Sequence, residues 1–178
     1  MPPGAGAARR RTFAGGAQVS VLLGDFLYLK ALRLALDFKD DRIVRSLARA
    51  TSQMIEGVLM ECAFSRDPTT SEESYLEIVA KKTAALFASG CSIGGILGGL
   101  PSEAVEALGR FGAGIGTAFQ IVDDLLDFTG DPADLGKPVL SDLAEGRITL
   151  PLIAALRRAD PPRRERVAAL VRSESLSP

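Results

Sequence analysis

The sequence predicts an all-α fold, a bundle of helices without a sheet. Three observations carry this. No stretch keeps the period-2 alternation of a half-buried strand. Apolar residues recur instead at spacings of 3 and 4, the signature of a helix face. Start and stop residues punctuate the stretches, among them Thr70 with Glu73, Ser102, Gly130 and Asp160-Pro161-Pro162. No internal repeat is present.

Residues 1–16 are mainly Pro, Gly, Ala and Arg and are expected to lack fixed structure. A first helix is expected over about 17–37. It is apolar on nearly every side (Val19, Leu22, Leu23, Phe26, Leu27, Leu34), which predicts a place deep in a bundle. A second helix spans about 40–63 and carries Ile43, Leu47, Met54, Val58 and Glu61. Asp67-Pro68 breaks the chain, and Thr70 with Glu73 reads as a capping box for a third helix to about 89. Glycines 90, 94, 95, 98 and 99 punctuate the next segment and permit either close packing or breaks. A long helix over about 102–128 has a stripe of Val105, Leu108, Gly112, Ile115, Phe119, Val122 and Leu126, expected to face the core. Residues 129–141 form a loop with Pro132 and Pro138. A helix from about 143 should kink or restart at Pro151. The domain is expected over 17–160, with 161–178 a tail or a truncated helix.

Composition bounds the function. The 178 residues are 47% hydrophobic, enough for a sizeable core. A net charge of −1 gives no footprint for nucleic acid or an anionic membrane surface. There is no histidine, which removes the commonest general base and any His-ligated metal. Cys62 and Cys91 match no metal spacing and read as buried thiols of a reducing compartment. The start lacks the apolar core of a signal peptide, and no segment reads as a membrane span, so a cytoplasmic location is expected.

The most informative segment is 119–138. It places Asp123, Asp124 and Asp127 at the end of an apolar helix, where bare carboxylates are costly unless a cation meets them. Asp123 and Asp127 are four apart and share a face, which Gln120 joins. Such a row of hard oxygen ligands suits Mg2+, which keeps positions open for water or phosphate oxygens. Lys137, one short loop later, is placed to reach the same phosphate. A solvated helix end would explain Asp127 but not Asp123 and Asp124 within an apolar run. In the third helix, Tyr75, Val79, Lys82 and Leu86 fall on one stripe. A lone lysine there usually snorkels to water; the alternative is that Lys82 points into a cavity toward an anion, with Thr83 adding a hydroxyl.

Five pieces of the chain then fall in one order and spacing: Val21 to Tyr28, Lys82 to Phe87, Gly112 to Asp127, Leu135 to Pro138, and Asp142 to Leu152. Over about residues 17–158 the chain resembles the trans-isoprenyl diphosphate synthases, the polyprenyl synthetase family. The resemblance implies an all-α prenyltransferase fold around a central cavity. It also implies Mg2+-dependent ionisation of an allylic prenyl diphosphate and addition of the cation to isopentenyl diphosphate. Asp123, Asp124 and Asp127 match the second of two metal-holding Asp-rich motifs. Lys82, Thr83, Gln120 and Lys137 match positions that contact the allylic diphosphate and stabilise its departure. In this light Lys82 becomes a functional residue. A homodimer, or association with a full-length synthase, is the implied assembly.

Three departures qualify the match. Only one Asp-rich motif is present, the arginines that follow the family's first motif have no equivalents in register, and relatives continue where this chain stops. The chain is therefore expected to be truncated at both ends and a poor catalyst alone. A second reading is a non-catalytic partner subunit of a full-length synthase. A class I terpene cyclase relative is disfavoured by Leu135 to Pro138 and Glu145 to Pro151.

Overall fold

The computed structural model describes residues 16–131 and 139–173. Among these the chain is helical throughout, without a strand, as the missing period-2 pattern requires. It forms two compact units, Met1–Val44 and Arg45–Pro178.

In the first unit, α1 spans Gly16–Asp37. Its apolar character did not bury it. Val21, Leu22, Phe26 and Leu27 are all exposed, because the described residues of this unit supply no layer to cover them. Lys30 sets its ammonium 5.3 Å from the Phe26 ring centroid. The chain turns at Lys39, which takes a left-handed backbone (φ 52°), and Asp40 starts the next helix by accepting from the Arg42 amide at 3.0 Å. That helix, α2, is Asp41–Ala63, and from Arg45 onward it belongs to the second unit.

In the second unit, α3 spans Glu72–Val79, a π-helical turn follows over Ala80–Ala84, and α4 continues over Ala85–Leu97. The helical run thus passes straight through Gly90, Gly94 and Gly95 and stops at Gly98 and Gly99, the latter left-handed. The α3 cap is Ser71, whose Oγ accepts from the Ser74 amide at 3.1 Å, one residue later than the Thr70–Glu73 box predicted. Helix α5, Ser102–Thr129, runs against α4. The seam is made by glycines. A β-carbon on Gly109 would sit 2.6 Å from Ser92 Oγ, one on Gly112 2.6 Å from the Phe87 carbonyl oxygen, and one on Gly116 2.7 Å from Ala84 Cα. Across this unit, Ser46 on α2 and Ser89 on α4 share a 3.0 Å hydrogen bond.

The predicted core stripe of α5 is only partly a core. Gly112 is buried, but Ile115, Phe119, Val122 and Leu126 are exposed. The line that is buried instead runs through Gly112, Gly116, Asp124 and Asp127. Glycines let α4 approach on that side, and hydrogen bonds satisfy the two carboxylates. Phe119 finds a partial partner in Phe87, with ring centroids 5.6 Å apart.

Beyond α5, one turn of helix, α6 (Ser141–Ala144), precedes a bend at Gly146. Pro151 does not kink a helix begun near 143; it lies in the first turn of a new one, α7 (Leu150–Arg158), where its missing N–H costs nothing. Asp160 then caps α8, Pro161–Arg172, by accepting from the Arg163 amide at 2.9 Å. Tyr75, Val79, Ile148, Leu152, Ile153, Leu156 and Val171 join α3, α7 and α8 in the main core. No described helix is long and apolar enough to cross a membrane. Cys62 is exposed rather than buried, while Cys91 lies against Gly112.

Arg66 ties the site-bearing segment to the C-terminal helix. Its backbone is left-handed (φ 58°) and its amide donates to the Gly146 carbonyl at 2.9 Å. Its guanidinium donates to the carbonyls of Ala144 at 3.1 Å and Ser173 at 2.8 Å. One cation thereby serves the exposed carbonyl ends of α6 and α8.

Candidate active site

A cavity of about 270 Å3 opens within the second unit. Helix α2 contributes Glu61, α3 Tyr75, the π-helical turn Lys82 and Thr83, and α5 Gln120, Asp123 and Asp124; Asp142 and Arg147 close it from the α6 segment. The π turn matters because a one-residue widening of the helix re-aims the side chains beyond it, a device common at functional sites. Gly57 makes room for it. A β-carbon there would lie 2.5 Å from the Lys82 amide nitrogen.

The polar wall is one connected chain of hydrogen bonds. Thr83 Oγ1 donates to Gln120 Oε1 at 2.8 Å, Gln120 Nε2 donates to Asp124 Oδ1 at 2.7 Å, and the Tyr75 hydroxyl donates to Asp124 Oδ2 at 2.6 Å. Asp124 is buried, and that burial pushes its carboxyl above the usual range. Its hydrogen bonds from Tyr75 and Gln120 pull the other way, while the charges of Asp142 and Asp123 push further up. Burial and the neighbouring Asp124 likewise push the Tyr75 phenol far above its ordinary value, so it remains a donor. Lys82 Nζ meets both Glu61 oxygens, at 2.7 and 2.6 Å. Arg147 pairs with Asp142 and Glu145.

Of the predicted site residues, Lys82, Thr83, Gln120, Asp123 and Asp124 come together on the cavity wall. Lys137 lies outside the described residues. The expected row of Gln120, Asp123 and Asp127 does not line the cavity as one. Asp127 is 0% exposed and is absent from the cavity lining. It lies one turn further along α5, where Leu140–Asp142 covers the helix. There its carboxylate accepts from Ser141 Oγ at 2.7 Å and the Asp142 amide at 3.1 Å, holding the start of α6. Gln120 likewise pairs with Asp124, not Asp123. Among the described residues no three acidic or thiol side chains converge as a ready metal cage. Asp123 and Asp124 remain, and two carboxylates suit Mg2+, which takes its other ligands from water and phosphate. The like charges around Asp124 are the feature a cation would relieve.

Sequence reasoning missed Glu61, Tyr75, Asp142 and Arg147 as site residues. Tyr75 had a signal, its place on the Lys82 stripe. Asp142 and Arg147 lay within the last of the five family-like pieces. Glu61 had none, since its role depends on the approach of α2 at Gly57.

The polyprenyl synthetase family model matches residues 7–177. The chain belongs to the polyprenyl synthetase family. It is 37% identical over 148 residues to the octaprenyl diphosphate synthase of Escherichia coli, covering 83% of this chain and 46% of that protein. It is 38% identical over 162 residues to the short chain isoprenyl diphosphate synthase of Methanothermobacter thermautotrophicus, covering 89% and 50%. The crystal structure of the polyprenyl synthase from Caulobacter crescentus, complexed with calcium and isoprenyl diphosphate, superposes with a TM-score of 0.79 at 36% identity, covering 91% of this chain and 54% of that one. The helical isoprenyl synthase fold expected from the sequence is thereby shown, and the chain spans about half the length of the curated relatives it matches.

Proposed function

We propose that this polyprenyl synthetase chain takes part in trans-prenyl transfer, binding an allylic prenyl diphosphate with Mg2+ in the cavity for reaction with isopentenyl diphosphate. The observation that carries this is the gathering of Lys82, Thr83, Gln120, Asp123 and Asp124 on one wall. The Caulobacter polyprenyl synthase, which was crystallised with a divalent ion and an isoprenyl diphosphate, supports the pairing of metal and diphosphate. Asp123 and Asp124 are the residues that would hold the metal, and Asp127 fixes α6 beneath them. When bound, Mg2+ supplies charge neutralisation to the diphosphate. As the allylic C–O bond breaks, negative charge gathers on the departing oxygens, and Lys82 supplies positive charge to it, a role that the family resemblance extends to Lys137. Tyr75 holds Asp124, Asp124 orients Gln120, and Gln120 orients Thr83, so this wall is set before ligand arrives. Ile78, Val79 and Ile148 line the same cavity and keep water from the cation.

The second reading, a partner subunit that docks on a full-length synthase, is favoured by the exposed apolar face of α1. Incorporation of labelled isopentenyl diphosphate, with several allylic primers and Mg2+, tests both. The single DDxxD motif leads to weak incorporation by the chain alone, lost in Asp123→Ala. Activity that appears only with an added full-length synthase, and survives Asp123→Ala, supports the second reading. Turnover matching a full-length synthase overturns the expectation that one motif is insufficient.

A further inference from the structure

Glu61 and Lys82 form a close pair at the cavity. Both carboxylate oxygens lie within 2.7 Å of Nζ, and the two side chains keep 27% and 31% of their surface exposed. The pair is built in by the backbone. Gly57 seats α2 against the π-helical turn, and Glu61, one helical turn on, shares the face of Gly57 and meets the ammonium. The other cation of the described lining, Arg147, is held by Asp142 and Glu145. Among the described residues four carboxylates line the cavity, Glu61, Asp123, Asp124 and Asp142, against the two cations Lys82 and Arg147. The described lining is therefore formally anionic, and both of these cations already have a carboxylate partner.

We propose that Glu61 is an internal stand-in for the ligand's phosphate. It occupies Lys82 in the free chain and makes the site selective for a diphosphate that arrives with a divalent cation. A diphosphate without metal must displace Glu61 and then face a surplus of carboxylates. A diphosphate with metal brings the charge that Asp123 and Asp124 need, and its oxygens then take over Lys82. This rests on the reading of the cavity as a diphosphate site.

Calorimetry with inorganic diphosphate on the full 178-residue chain tests it, with and without Mg2+. The wild-type chain is expected to bind only with Mg2+. Glu61→Gln removes the charge at nearly constant shape and should raise metal-free affinity on the order of tenfold, the scale of one charged hydrogen bond. Glu61→Asp draws the carboxylate back by one methylene and should give the same gain in smaller measure, which keeps the test open if Glu61→Gln folds poorly. Adding Lys82→Met to either variant should abolish the gain. If the wild-type chain binds diphosphate with Mg2+ but neither variant gains metal-free binding, or the gain survives Lys82→Met, the stand-in role is overturned and the diphosphate site stands. If the wild-type chain does not bind diphosphate with Mg2+ at all, both fall.

Discussion

Gly57 faces Lys82 so closely that a single methyl on it would reach to 2.5 Å from the Lys82 amide nitrogen and 2.8 Å from its Cα. Backbone thus meets backbone where the π turn presents its lysine. Gly57→Ala should force α2 away from that turn and cost about 1–3 kcal/mol as overpacking. This outweighs the ~0.5–1 kcal/mol that alanine contributes in a helix. Urea unfolding of the two proteins checks it: a more stable variant would mean that the helices separate freely.

Asp123→Ala should weaken Mg2+-dependent diphosphate binding by roughly tenfold or more, given that even outer partners of metal ligands act on that scale. Metal-free binding should not fall. Titration calorimetry at matched ionic strength reads both. Unchanged binding would return Asp123 to an exposed helix residue without a ligand role.

Asp124 gives a pH signature in the absence of metal. Its carboxyl lies above its ordinary 3.8 in the folded chain, first because it is buried. The folded state therefore holds this proton more tightly than the unfolded one. The stability Asp124 contributes is fully present below pH 3.8 and is lost as pH rises through the raised value. Urea midpoints between about pH 4 and pH 8 should show wild type losing stability relative to Asp124→Asn as pH rises. A flat difference would show that the hydrogen bonds from Tyr75 and Gln120 compensate the burial, and one of opposite sign that they outweigh it.

Part of the cavity wall was legible from helical spacing, and part only from the resemblance. Gln120 and Asp123 share a face and Lys82 lies on the Tyr75 stripe, both read from periodicity, whereas Asp124 and Thr83 were their chain neighbours and the roles of Lys82 and Thr83 came from the family resemblance. Periodicity gives direction around a helix but not depth along it. That is why Asp127, on the same face as Asp123, was expected beside it, although the α6 segment covers that turn. Nor does it tell an apolar stripe that will be covered from one that will not, as Ile115 to Leu126 show. The π turn left no trace either, since it is a change of hydrogen-bond register within a continuous helical pattern. Glu61 became meaningful only once α2 had a neighbour.

Arg66→Ala should cost about 1.5–3 kcal/mol, the scale of hydrogen bonds from a charged donor, because the carbonyl ends of α6 and α8 lose their shared cation. Arg66→Lys should recover only part of this, since one ammonium cannot match the planar fork. Hydrogen exchange should localise the loss to residues near 144 and 173. A uniform loss across the unit would count against a local tie.

Helix α1 should drive association. Val21, Leu22, Phe26 and Leu27 are all exposed on it, and large apolar side chains left open together on one helix are a recurrent mark of an interaction site. Light scattering at micromolar concentration is expected to show dimers or larger species, and Leu22→Glu with Phe26→Glu should shift them toward monomer. A compact monomer in the unaltered chain would count against this face as an interface.

The glycine seam between α4 and α5 makes the bore of the pocket a property of residues that never face the ligand. Gly112 and Gly116 meet backbone, the Phe87 carbonyl and the Ala84 Cα, so a methyl on either would act as a wedge with no side chain to yield to it. Thr83 and Gln120 are joined across that gap by a 2.8 Å hydrogen bond, which would lengthen as the helices parted. Spacing and polar chemistry are thus locked together here, and a change in one is read out in the other.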